Sequence, residues 1–96
     1  MRVPPHSIER VITHPRVLLV EDDASVAELV LLYLRNAGFI VEHAPTAERA
    51  RSLFKTEKPA IVVLDLGLPD GDGRELFREW RARSDTGVLA LTARAE

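Results

Sequence analysis

The chain has 96 residues, 46% hydrophobic and 29% charged, with a formal net charge of -2. That length fits one domain with its own core, and the charge gives no general attraction to nucleic acid or anionic lipid. There is no cysteine, hence no disulfide framework and no thiolate chemistry, and the longest apolar run, Leu29 to Leu34, is far too short to span a membrane.

Residues 1–15 (MRVPPHSIERVITHP) hold three of the six prolines and two of the three histidines, with no sustained period. They read as an N-terminal extension, with a short turn at Ser7 to Ile12. They contain no apolar signal core, so a cytoplasmic protein is expected. His6 and His14 lack a third ligand nearby and read as solvated surface rather than a metal site.

From Pro15 onward strands and helices alternate. Arg16 to Val20 (RVLLV) suits a strand buried on both faces. Ser25 to Ala37 is expected as a helix, with Val26, Leu29, Val30, Tyr33, Leu34 and Ala37 at helical spacing and Gly38 as its stop. Phe39 to His43 is a second, more polar strand, suited to a sheet edge. Thr46 caps a helix to about Lys55, with Ala47, Ala50, Leu53 and Phe54 inward. Ala60 to Leu64 is a third buried strand. Asp70-Gly71 reads as a turn. Asp72 caps a third helix, Glu75 completes a capping-box-like pair, and Leu76, Phe77 and Trp80 face inward. Val88 to Leu91 is a fourth apolar strand. The order β-α-β-α-β-α-β implies a parallel sheet with crossover helices.

In such sheets reactive groups gather at the carboxyl ends of the strands. The first strand ends on Glu21-Asp22-Asp23, the third on Asp65 and the fourth on Thr92. Neighbouring strands would bring these groups into one shallow pocket. Converging carboxylates repel unless some are protonated or a cation sits among them. An oxygen-only donor set favours a hard ion such as Mg²⁺, which leaves positions open to phosphate oxygens. A carboxylate beside it can act as a nucleophile toward phosphorus. Taken singly, the same residues have plainer readings. Asp22 or Asp23 would cap the first helix, Asp65 would form a turn before Pro69, and Thr92 would simply end a strand. Asp70 and Asp72 resemble a calcium loop only superficially: Arg74 stands at the fifth position and no glutamate at the twelfth. The joint pattern raises Asp65 above its plainer reading.

"RVLLVEDD", "IVVLDLGLPDGDG" and "VLALTARAE" resemble, in order and spacing, the receiver domain of two-component response regulators. "LGLPDGDG" and "LTAR" resemble most the members that carry a winged-helix DNA-binding domain. The resemblance covers residues 16–96. It implies a flavodoxin-like α/β fold, a doubly wound parallel sheet in the order 2-1-3-4. It also implies a phosphorelay in which a histidine kinase passes a phosphoryl group to Asp65. By the same resemblance Glu21, Asp22, Asp65 and the Gly67 carbonyl bind Mg²⁺, Asp23 starts the helix and Thr92 is the switch hydroxyl. Ala93 leaves room for the phosphoryl group, Pro69 and Gly73 shape the turn after the acceptor, and Gly67 and Arg94 fall at positions that tune dephosphorylation.

The family pattern has a fifth strand and two further helices, and these 96 residues do not supply them. The lysine that ends the fifth strand has no counterpart, since Lys55 and Lys58 lie around the end of the second helix. The expectation is therefore a receiver domain incomplete at its C-terminus, with DNA reached only through an output domain outside this chain and a homodimer as a further possible partner. Part of the Leu29 to Leu34 band should lie open, and exposing three leucine-sized side chains costs roughly 4–9 kcal/mol. Such a chain alone is expected to be marginal, oligomeric or partly unfolded. Two other readings compete: a degenerate receiver that only binds a partner, and a Mg²⁺-dependent aspartyl phosphohydrolase. The hydrolase needs a second acid two residues past the nucleophile, where this chain has Gly67, so no enzyme is expected.

Overall fold

The computed structural model describes residues 14–83 and 85–91, apart from the side chains of Asp72 and Arg83. The expectations for Ser7 to Ile12, His6, Thr92, Ala93, Arg94 and the Asp72 cap lie outside what is described.

The main sheet is built from β1 (Arg16–Val20), β2 (Ile40–Ala44), β3 (Ile61–Leu64) and β6 (Gly87–Ala90). All pairings in it are parallel, and the order is β2-β1-β3-β6. This is the expected 2-1-3-4 arrangement, with β6 as the fourth strand and the more polar β2 at an edge. Between the strands run α1 (Ala24–Asn36), α2 (Ala47–Glu57) and α3 (Gly73–Arg83). The expected turn at Asp70-Gly71 is part of a larger feature. Gly67–Leu68 (β4) and Gly71–Asp72 (β5) form a short antiparallel ribbon between β3 and α3.

Local chemistry accounts for the helix ends. Asp23 caps α1, its Oδ1 accepting from the N–H groups of Ser25 and Val26 at 2.9 and 3.2 Å. Beyond the C-cap Ala37, Gly38 takes a φ of 99°, a left-handed turn that costs glycine little. Thr46 Oγ1 accepts from the Arg49 N–H at the start of α2. Lys58 ends that helix in the left-handed region just before Pro59.

Alternation along the strands sends successive side chains to opposite faces. Leu18, Val20, Val62 and Leu64 pack with Ala47, Ala50 and Leu53 of α2 and Leu76 and Trp80 of α3. Trp80 stacks on Phe54 with ring centroids 4.4 Å apart, joining the two helices. Val17 and Leu19 pack on the other face with Ala27 of α1. That face is thinner: among the described residues one helix covers it, and Ile61 and Val63 are only half-buried, whereas Val62 and Leu64 are fully buried.

The inward stripe of α1 differs from the expected one. Val26, Leu29 and Tyr33 are 39%, 53% and 66% exposed, and Ala37 is exposed at the cap. The stripe on the sheet is Ala27, Val30, Leu31 and Leu34. A continuous apolar run offers two overlapping stripes, and the small Ala27 lets the helix approach the sheet closely. Leu32, 56% exposed, joins Leu29 and Tyr33 on the outer side, so part of the Leu29 to Leu34 band does lie open.

Candidate functional site

β1 and β3 are adjacent and in register, with Val20 opposite Leu64. The residues that follow them therefore emerge side by side at the carboxyl end of the sheet. The Asp65 N–H donates to the Val20 carbonyl at 2.9 Å, and the Glu21 N–H donates to the Ala44 carbonyl at 3.0 Å. The strand ladder thus continues one residue further and fixes both acids at its edge.

Glu21, Asp22 and Asp65 each offer a carboxylate oxygen, and these oxygens lie within 4.8 Å of one another. Glu21 and Asp65 are buried and Asp22 is exposed. Burial raises the Glu21 carboxyl above its ordinary value, and the negative charge of Asp65 and a hydrogen bond shared with it add to the rise. The Asp23 N–H, which donates to Glu21 Oε2 at 3.0 Å, opposes the rise. Three converging carboxylates repel one another, and a divalent cation among them would relieve that repulsion. Three carboxylate oxygens, two of them on buried residues, fit a hard ion that keeps part of its water shell.

The surroundings hold these groups in place. The Gly67 N–H donates to Asp65 Oδ1 at 3.2 Å, orienting the carboxylate. His43 Nε2 lies 2.8 Å from the Glu21 carbonyl; only a donor suits that acceptor, so the ring carries its proton on Nε2. A Cβ on Gly73 would stand 2.6 Å from the Asp65 carbonyl oxygen, so only glycine lets α3 begin this close to the acid. The Gly73 N–H donates to the Leu66 carbonyl at 2.9 Å across the same gap. On the far side the Leu91 N–H reaches the Leu64 carbonyl at 2.7 Å, continuing β6 toward the site.

The structure therefore brings together Glu21, Asp22 and Asp65, with Gly67 bonded to Asp65, and it gives Asp23 to the helix cap. Thr92 lies outside the described residues. Two residues around the site carry no local signal of their contacts. The sequence marks His43 as part of a strand, and nothing nearby indicates its bond to Glu21. Asp70 has the pattern of a turn residue, yet its carboxylate accepts from the Ala47 and Glu48 N–H groups of α2 at 2.7 and 3.1 Å. Those bonds hold its carboxyl below its ordinary value.

Comparison with known proteins is consistent with this geometry. Residues 17–96 match the response regulator receiver domain. The chain is 41% identical over 80 residues to the KDP operon transcriptional regulatory protein KdpE of Escherichia coli K12, covering 83% of this chain and 36% of that protein. The virulence transcriptional regulatory protein PhoP of Shigella flexneri is 40% identical over 80 residues, covering 82% of this chain and 36% of its own length. The BeF3-activated receiver domain of Klebsiella pneumoniae RstA superposes with a TM-score of 0.79 at 33% identity, covering 84% of this chain and 69% of that one. The chain thus spans about a third of the curated relatives it matches, and those relatives are transcriptional regulatory proteins. Among the described residues no helix is long and apolar enough to cross a membrane.

Proposed function

The chain belongs to the response regulator receiver family, and from that premise we propose that Asp65 accepts a phosphoryl group from a histidine kinase in a Mg²⁺-dependent step. The observation that carries this reading is the convergence of Glu21, Asp22 and Asp65 within 4.8 Å at the ends of adjacent strands. Glu21, Asp22, Asp65 and the Gly67 carbonyl would hold the ion. When bound, Mg²⁺ supplies positive charge against the equatorial phosphoryl oxygens.

The chain's own groups do the rest. An Asp65 carboxylate oxygen attacks phosphorus in line, forming an O–P bond. The P–N bond to the kinase imidazole breaks, and its electron pair returns to the ring. The Gly67 N–H holds the other Asp65 oxygen aside. Thr92 follows Leu91, whose N–H is tied to Leu64, and is assigned as the hydroxyl that turns toward the phosphoryl group. The resulting change in charge switches the domain. In the longer protein that switch would control transcription through an output region, in the cytoplasm, with a homodimer as one route to the readout.

The test is incubation of the chain with Mg²⁺ and either a cognate kinase or a small-molecule phosphodonor, read by intact mass. Wild type should gain one phosphate, and Asp65→Asn or chelation should abolish the gain. Phosphate uptake by Asp65→Asn overturns the assignment. Mg²⁺ binding without uptake by wild type favours a receiver that only binds a partner.

A further inference from the structure

Asp70 lies outside the acidic cluster, but it makes two bonds to a distant element. Its Oδ1 and Oδ2 accept from Ala47 and Glu48, the first two residues of α2, more than twenty positions back in the chain. A carboxylate there is favoured by charge-assisted hydrogen bonding and by the positive end of the helix dipole. Yet α2 already has a cap of its own, since Thr46 Oγ1 accepts from Arg49. The two side chains divide the unpaired donors of the first turn between them. A cap from within the helix serves the helix, whereas a cap supplied by a remote loop also ties down the loop.

The loop's other contacts show what is tied. A Cβ on Gly71 would stand 3.1 Å from the Ala47 Cβ, so the loop backbone lies directly against the start of α2. Asp70 sits in the turn of the β4–β5 ribbon, in which Gly67 pairs with Asp72 and Leu68 with Gly71. One end of that ribbon is Gly67, whose N–H holds Asp65 Oδ1. The ribbon therefore connects Asp70 to Gly67 and, through its N–H, to Asp65.

We propose that Asp70 is a positioning residue for the acidic site: it anchors the 67–72 ribbon to α2 and so holds Gly67 and the Asp65 carboxylate in their metal-binding arrangement. The metal part of this proposal rests on the function proposed above; the anchoring part does not.

The test compares Asp70→Ala, Asp70→Asn and Thr46→Ala in the full chain. Both alanine variants remove a cap from α2, but only Asp70→Ala releases the ribbon. Amide hydrogen exchange at Gly67 and Gly73 is measured without metal, followed by a Mg²⁺ titration. Asp70→Ala should speed exchange at both amides and weaken Mg²⁺ binding about tenfold, as loss of an outer support around a metal site does. Asp70→Asn keeps an acceptor oxygen and should restore most of both. Thr46→Ala should lower the melting temperature while leaving Gly67 exchange and Mg²⁺ affinity as in wild type. Equal effects of the two alanine variants on Gly67, or no effect of Asp70→Ala, overturn the proposal. If wild type binds no Mg²⁺, the metal reading of the site fails, and exchange at Gly67 still decides the anchoring.

Discussion

Replacing Gly73 by alanine places a methyl group where the structure has no room. An ideal Cβ would stand 2.6 Å from the carbonyl oxygens of Asp65 and Leu66, and against the Leu66 Cα as well. Ordinary contact begins at 3.4 Å, so α3 and the loop must separate by roughly 0.8 Å at the two oxygens and by more at the Leu66 Cα, and overpacking of this kind costs about 1–3 kcal/mol. The separation cannot be absorbed locally. All the clashing atoms are backbone, and the same helix carries Leu76 and Trp80, both fully buried in a close-packed core. For a domain of this size that cost corresponds to a fall in melting temperature of roughly 5–20 °C. The control is Gly87→Ala, whose Cβ would meet, among the described residues, the Ala60 carbonyl oxygen at an ordinary 3.9 Å and should shift stability by no more than about 0.5 kcal/mol. Circular dichroism melts of the two variants beside wild type make the measurement. Equal falls, or a Gly73→Ala melt within about 2 °C of wild type, would refute the steric argument.

Two further outcomes follow from charge and exposure. Asp70 and Glu21 impose opposite pH dependences. Asp70 is held below its ordinary 3.8, so the stability it adds is present above that value and is lost as pH falls through its folded value. Glu21 is raised above its ordinary 4.5, so the metal-free chain loses stability as pH rises from there through its folded value. Glu21→Gln should therefore stabilise the metal-free chain at neutral pH while abolishing Mg²⁺ binding, checked by melts from pH 4 to 8 with and without Mg²⁺; a destabilised metal-free variant at neutral pH contradicts the repulsion assigned to Glu21. On the outer side of α1, Leu29, Leu32 and Tyr33 expose apolar surface. This chain alone should self-associate with rising concentration in sedimentation, and Leu32→Glu should shift it toward monomer; a wild-type monomer with a cooperative melt at all concentrations refutes this.

Much of this fold is legible in the sequence because its signals are local. The aliphatic runs at Arg16–Val20 and Ile61–Leu64 are strands, and Asp23 and Thr46 are caps whose partners lie within three residues. The spacing of Ala47, Ala50 and Leu53 faces α2 toward the core, and that of Leu76 and Trp80 does the same for α3. The acidic cluster is legible for a different reason: strand order turns three dispersed acids into neighbours. What escapes is whatever depends on surroundings. The α1 stripe is ambiguous because six consecutive apolar residues satisfy two registers. The Asp70 cap and the His43 bond join positions more than twenty residues apart. An Asp-Gly pair after proline looks like a turn whether or not its carboxylate reaches another helix.

The two faces of the sheet divide the work unequally. The α2–α3 face is closed by Leu18, Val20, Val62 and Leu64 beneath two helices locked by the Phe54–Trp80 stack. Two segments beside Asp65 are tied to that face. The ribbon is pinned to α2 through Asp70, and α3 starts against the Asp65 carbonyl at Gly73. The α1 face contributes Glu21, Asp22 and the Asp23 cap, but its helix leaves Ile61 and Val63 half covered. On that side Leu89, which pairs with Val63 in β6, is 60% exposed. The segments that hold Asp65 are therefore tied to the closed face, and its two acidic neighbours, Glu21 and Asp22, lead into α1 on the thinner one. A divalent cation among the three carboxylates would draw Glu21 and Asp22 toward Asp65, whereas a phosphoryl group on its own would repel them.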